Sequence, residues 1–514
     1  NNPIFYVELG YNYALQNDEE NATVQYNKAL ASIEKNPSYA YRTGEHFRKK
    51  SLLDYAVKAF QNGIAGNPKI NFNLSYSLAS IYGEMGDIEK MYETYLQIIE
   101  RNNTISKIVK RRLGDFIVET PEAENNIMLK KVLLKKIQTA PNVLWNDLLS
   151  WLFVQQKQFG SAFIQEKAIY KRSEAGSLNR ITELGLLALG EEEDSVAREI
   201  FEFALKNTTD RSLKLEVHRY LLQIEIAMAS QKDYQKIEEK FTSLFNEYGY
   251  TTATIPLQTV YARFLVFQKN QSKKAVTLLK EALKLPLNPF EEANVKMVLG
   301  DILVYQENFN QALIYYAQIQ KRVKNDLIAQ TARFKTAQTS FYKGDFKWAE
   351  TQLKVLKSST SQLIANDALQ LKLLISDNAY EDSTQTALKL YAKADLLAYQ
   401  NKNNEAVALL DALLKHHKGE AIEDETLLKQ AQLLEKKKEF DKAEHNYLKI
   451  ITFYSYGILM DDALFALAQL YENELGAPEK AKRYYEQLIF EHQDSIYFVT
   501  ARKKYRSLRG DMVN

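Results

Sequence analysis

Cysteine is absent from this chain of 514 residues. That excludes disulfides, thiolate metal sites and a cysteine nucleophile. It suits an oxidising compartment, where a stray thiol is a liability, although many cytosolic helical proteins lack cysteine too. Proline and glycine are scarce, at 9 and 18 residues. Both are poor helix formers, so their scarcity points to an almost entirely helical chain. No apolar run approaches the roughly 18 residues that mark a membrane span. No signal peptide is visible, and the chain opens Asn1-Asn2-Pro3 without Met. That is the expected look of a processed or trimmed product whose targeting segment is lost. Charge of one sign is missing as well. The 67 basic and 65 acidic residues leave a net charge of +2, whereas a nucleic-acid footprint needs basic excess gathered on one face.

Catalytic patterns are also missing. The histidines His46, His218, His416, His417, His445 and His492 form no His-Glu-x-x-His zinc motif. On a helix, His416 and His417 point about 100° apart. A helix C-terminus, which favours a cation, explains them better than a metal does. There is no Gly-rich phosphate loop and no Gly-x-Ser-x-Gly elbow. Asp461-Asp462 read as a cap for the helix that follows. The acidic turn Gly190–Ser195 puts carboxylates at a helix N-terminus, where the dipole favours them. No intrinsic catalysis, cofactor, metal or small-molecule substrate is therefore expected.

What is present is a recurring two-helix unit with small residues at fixed places. The first unit reads Tyr6, Leu9, Gly10, Tyr13, Ala22, Tyr26, Ala29. The second reads Gly44, Phe47, Ala56, Phe60, Gly63, Pro68, and the third Leu78, Ala79, Tyr82, Tyr95, Ile98, with Met91 in place of the alanine. Later units include Leu184, Gly185, Ala188, Ala197, Phe201, Ala204, then Leu299, Gly300, Leu303, Ala312, Tyr316, Ile319. Ala394 with Ala406, Ala431 with Ala443, and Ala468 with Ala481 close the series. Small residues let the two helices of a unit approach, and a larger side chain there would overpack at a cost of roughly 1–3 kcal/mol. Gly86-Asp87 and Gly344-Asp345 fall at turns between helices, glycine making the turn and aspartate capping the next helix.

The pattern divides the chain. Regular units cover 1–103 and an irregular helical connector covers 104–140. Looser units fill 141–357, an odd helix with polar loops fills 358–386, and good units with a basic capping helix fill 387–514. Basic clusters at Lys107, Lys110, Arg111, Arg112 and at Lys130, Lys131, Lys135, Lys136 sit at helical spacing and read as solvated faces. The triplets starting at Asp194, Asp382 and Asp494 match an acceptor for bacterial O-glycosylation, yet read more simply as helix caps.

The spacing resembles the tetratricopeptide repeat superfamily over most of the chain, with a period of about 34 residues. The resemblance implies an all-α, right-handed α-solenoid of roughly a dozen helical hairpins. It also implies work by binding proteins or extended peptides on a long curved surface. Near the C-terminus the run Ala468-Gln469-Leu470-Tyr471, the run Ala481 to Leu488, and His492 to Tyr497 resemble repeats of bacterial envelope proteins. These include the outer-membrane assembly lipoprotein of the Bam type and the coordinator of the Tol-Pal system. Both carry a proline where Gln493 stands and an alanine where Phe498 stands. The implied setting is the periplasm, with peripheral association to an outer-membrane complex. A cytosolic adaptor of the same fold and a regulatory or trimmed portion of an enzyme are the alternatives.

In such repeats the first helices line the concave face. In the C-terminal half those positions carry Met297, Asp301, Tyr305, Phe334, Gln338, Phe341, Tyr342, Tyr391, Asp395, Tyr399, Leu428, Gln432, Phe465 and Gln469. Aromatic rings with scattered Gln and Asp suit an extended peptide or a partner helix. Packing between repeats is the equal alternative for each ring. The Lys/Asn carboxylate clamp of chaperone-binding repeats is not matched, since Ser38, Tyr41 and Glu45 occupy the corresponding positions.

Overall fold

A computed structural model describes residues 2–66, 71–172, 177–356, 361–379 and 385–510. Pro68 and the triplet at Asp382 lie outside the described residues. Among those described there are 28 α-helices and no strand. The chain divides into two compact units, one reaching to Ala204 and the other beginning at Leu205.

In the first unit the Pro3–Leu15 and Glu19–Lys35 helices form a hairpin. Gly10 lies under the ring of Tyr26, where an added Cβ would fall 2.5 Å from the ring. In the second unit Gly300 meets Tyr316 in the same way, again at 2.5 Å. Ala22, Ala29, Ala56, Ala197, Ala204, Ala312, Ala406, Ala443 and Ala481 are all fully buried. The small positions in the sequence are therefore the helix contacts, and the hairpin register follows from them.

One turn recurs within the hairpins. A residue in the left-handed region ends the first helix, and the amide after it returns to a carbonyl five residues back. Asp18 donates to Tyr13 O at 3.0 Å after Asn17 (φ 60°), and Asp87 to Tyr82 O at 2.8 Å after Gly86 (φ 78°). Asn308 donates to Leu303 O at 2.8 Å after Glu307 (φ 60°), and Glu439 to Leu434 O at 2.9 Å after Lys438 (φ 61°). Asp18 and Asp87 then cap the second helix, accepting from Asn21 N at 3.1 Å and Lys90 N at 3.2 Å.

The 104–140 stretch holds the helices Ser106–Gly114 and Glu124–Thr139. The chain between them is pinned by one fully buried side chain. Asn126 Nδ2 donates to the carbonyls of Val118 and Thr120, each at 2.7 Å, and Val118 N donates back to Oδ1 at 3.3 Å. Its lysines are mostly paired: Lys110 with Asp147 at 2.6 Å and Lys136 with Glu100 at 2.7 Å.

In the second unit the alternation of hairpins is interrupted. The Gln362–Ala379 helix follows Phe346–Leu356 and packs on it and on Leu327–Lys343. The Thr386–Tyr399 helix then also packs on Leu327–Lys343. Asp461 and Asp462 do not cap the next helix from outside. They occupy its first turn, Leu459 is the N-cap, and Asp462 accepts the Tyr497 hydroxyl at 2.8 Å. His416 ends the Asn403–His416 helix as expected, while His417 meets Glu420 at 2.8 Å.

Candidate protein-binding surface

The fourteen first-helix positions nominated from the sequence all lie in the second unit. They come from the helices Pro289–Tyr305, Leu327–Lys343, Thr386–Tyr399, Glu423–Lys436 and Met460–Asn473. The structure places them in two different environments.

The first is a packed hub around Asp301, whose carboxylate is almost fully buried. It accepts from Arg263 Nη2 at 2.8 Å and from the Tyr316 hydroxyl at 2.8 Å, with Lys335 Nζ at 3.5 Å. These cations and the hydroxyl supply the partners that a buried carboxylate needs. The Tyr399 hydroxyl donates to the Asp301 carbonyl at 3.1 Å, and Gln400 Nε2 donates to the Tyr305 carbonyl at 2.9 Å. Gln400 also reaches Glu307 at 3.2 Å, where Lys393 pairs at 3.1 Å. The Tyr399 ring packs at 6.0 Å on Phe267 and at 6.2 Å on Tyr342, and Phe267 meets Tyr305 at 5.4 Å. The end of the Thr386–Tyr399 helix thus lies against the ends of the first helices of earlier repeats.

Met297, Phe341 and Tyr391 are buried nearby, while Phe334 and Gln338 are half-buried. Asp395 is half-buried, held by Lys429 and by the Tyr342 hydroxyl. Burial pushes the phenols of Tyr342, Tyr391 and Tyr399 well above their ordinary range. They stay neutral, and those of Tyr342 and Tyr399 act as hydrogen-bond donors.

The second environment is more open. Leu428 is half-buried, while Gln432 and Gln469 are exposed. Phe465 stacks on Tyr497 at 4.4 Å with the planes 10° apart, and meets Tyr485 edge-on at 6.0 Å. On the second-helix side a groove of about 930 Å³ runs between Asn403–His416 and Phe440–Phe453. Its floor is a hydrogen-bonded chain: Asn446 Nδ2 donates to Gln430 Oε1 at 2.8 Å, and Gln430 Nε2 to Asp411 Oδ1 at 2.8 Å. Lys415, His445 and Lys449 stand along it.

Between the two environments sits Glu425, which the sequence gave no reason to single out. Asn378, from the interrupting helix, donates to its Oε1 at 3.2 Å, and Oε2 has no partner. Burial, with Asp424 adjacent, pushes its carboxyl up to about 9. Phe267, Arg263, Lys335 and Gln400 were likewise not nominated. They act through contacts far apart in sequence, which no local spacing reports. Among the described residues, no group of three His, Cys, Asp or Glu side chains could hold a metal ion. None of the helices is long and apolar enough to cross a membrane.

Two segments match family models described as tetratricopeptide repeat, residues 462–495 and 73–105. No curated protein matches the chain. Among solved structures, a chain from the crystal structure of the APC/C hetero-tetramer Cut9-Hcn1 is similar at 11% identity, with 98% of this chain and 96% of that chain covered and a TM-score of 0.29. The tetratricopeptide domain of P58(IPK) is similar at 12% identity, with 92% and 98% covered and a TM-score of 0.21.

Proposed function

We propose that this protein is a non-catalytic scaffold that binds other proteins through its helical repeats. Tetratricopeptide repeats at 73–105 and 462–495 support that coarse reading. The observation that carries it is the division of the first-helix positions. Rings up to Tyr399 are used in packing, while Gln432 and Gln469 remain exposed beside Leu428 and Phe465. The two exposed amide side chains, on a rigid helical frame, suit contact with an extended peptide or a partner helix.

The finer reading is a periplasmic scaffold in a bacterial outer-membrane-associated assembly. What supports it is the resemblance of residues 468–497 to envelope repeats and the absence of cysteine. The test is co-purification from the native cells with fractionation of the envelope. A stoichiometric partner should be recovered, and the double variant Gln432→Arg, Gln469→Arg should weaken its capture at least about tenfold, or about 1.4 kcal/mol. Recovery of the protein alone would contradict the scaffold. Recovery from the cytosolic fraction would contradict the setting only.

A further inference from the structure

The Gln362–Ala379 helix exposes apolar side chains that an ordinary repeat helix would bury. Leu363 is 72% exposed and Leu369 50%. With Asn366 they lie three residues apart, on one side of the helix. Between this helix and Phe346–Leu356 is an apolar slot of about 290 Å³. Leu353, Ala365, Ala368 and Leu369 line it, and each helix contributes one lysine, Lys354 and Lys372.

We propose that this slot is a docking point for a peptide segment of a protein partner, one that carries a bulky apolar side chain with carboxylates close by. The proposal rests on the scaffold reading above and adds the partner's chemistry and a second place of contact. The slot's size suits one large side chain, such as Phe or Leu, and its lining disfavours a polar one. Charge complementarity selects the flanks. Lys372 stands at the slot on one helix, and Lys354, paired with Glu350 at 3.1 Å, stands at it on the other. A carboxylate beside the anchoring side chain would meet Lys372, and apolar burial of the anchor would supply most of the affinity.

The test is selection of peptides of about 12 residues from a random displayed library against the whole chain. Selected peptides should share a bulky apolar residue with Asp or Glu within about four positions. Ala365→Phe, which fills the slot from a half-exposed position, should weaken them at least about tenfold. Lys372→Glu should weaken them severalfold, more at low salt than at high salt. Circular dichroism melting should stay unchanged. If Ala365→Phe lowers it, Leu369→Lys at an exposed site serves instead. Peptides without that pattern, or peptides that bind the slot variants as well as the native chain, would overturn the proposal. So would phosphatidylglycerol vesicles that bind the native chain and not the slot variants while no peptide is selected, since the slot would then be a lipid site. Should the native partner co-purify equally with native chain and slot variants, the slot fails and the scaffold stands. Should slot peptides bind but no partner co-purify, the scaffold fails and the slot stands.

Discussion

Tyr399 and Lys436 hold corresponding places as the last residues of successive first helices, and the structure treats them oppositely. Tyr399 packs on Phe267 and Tyr342 and donates to the Asp301 carbonyl, whereas Lys436 is exposed, as is Gln432 on the same helix. The Gln362–Ala379 helix stands between two hairpins and packs on Leu327–Lys343 and Phe346–Leu356. With that helix in place, Thr386–Tyr399 packs on Leu327–Lys343 and its end reaches Pro289–Tyr305. From Glu423 onward the regular alternation returns and the first-helix face is left with exposed glutamines. An identical repeat position can thus be core in one hairpin and surface in the next.

The hub gives the largest expected effect. Asp301→Ala leaves Tyr316 and the charges of Arg263 and Lys335 without their shared acceptor, and should cost about 3 kcal/mol in chemical denaturation. The corresponding change at the open end, Gln469→Ala, should stay within about 0.5 kcal/mol. A similar contrast is expected between Tyr399→Ala, at about 3 kcal/mol through the cavity it leaves, and Gln432→Ala, near zero. Equal losses in either pair would break the comparison.

Glu425 sharpens the junction between the two regions through pH. Its carboxyl is raised from an ordinary value near 4.5 to about 9. The folded state therefore binds the proton more tightly than the unfolded state. This group's contribution is fully present below pH 4.5 and is lost as pH rises towards 9. The slope is at most about 1.4 kcal/mol per pH unit, one proton's worth. Glu425→Gln should flatten the stability–pH curve across that window and raise stability at pH 8. An unchanged curve would show that the side chain is not held neutral.

The smallest effects lie in the shared turn. Glu307 and Lys438 both adopt the left-handed region, at φ 60° and 61°. Lys438→Gly relieves that conformation and should stabilise by a few tenths to about 1 kcal/mol. Glu307→Gly gains the same relief but loses Lys393 and Gln400, and should come out destabilised by about 1 kcal/mol. Thermal melts of the pair read the difference directly.

Hairpin register was legible in the sequence because a glycine or alanine under a facing ring is a local requirement. Gly10 with Tyr26 and Gly300 with Tyr316 declare it within about one repeat length. The turns were legible only where glycine marked them, at Gly86 and Gly344. Asn17, Glu307 and Lys438 make the same turn without that mark. That Asn126 fastens the 104–140 stretch could not be read at all, since an asparagine's backbone partners leave no spacing pattern. The candidate surface was least legible. The periodicity names the first-helix face, but whether Tyr342 or Gln432 meets solvent depends on how Thr386–Tyr399 docks, a non-local outcome.

The central claim is that partner contact belongs to the open first-helix face and that the hub is only framework. It is tested by measuring melting temperature and affinity for the co-purified partner on Tyr399→Ala and on the double variant Gln432→Arg, Gln469→Arg. The expected result is a clean crossing. Tyr399→Ala lowers melting by several degrees and leaves affinity unchanged where the protein is folded. The double variant leaves melting unchanged and lowers affinity at least about tenfold. Full affinity in the double variant, with affinity lost in a well-folded Tyr399→Ala protein, would contradict the claim and make the hub the binding site.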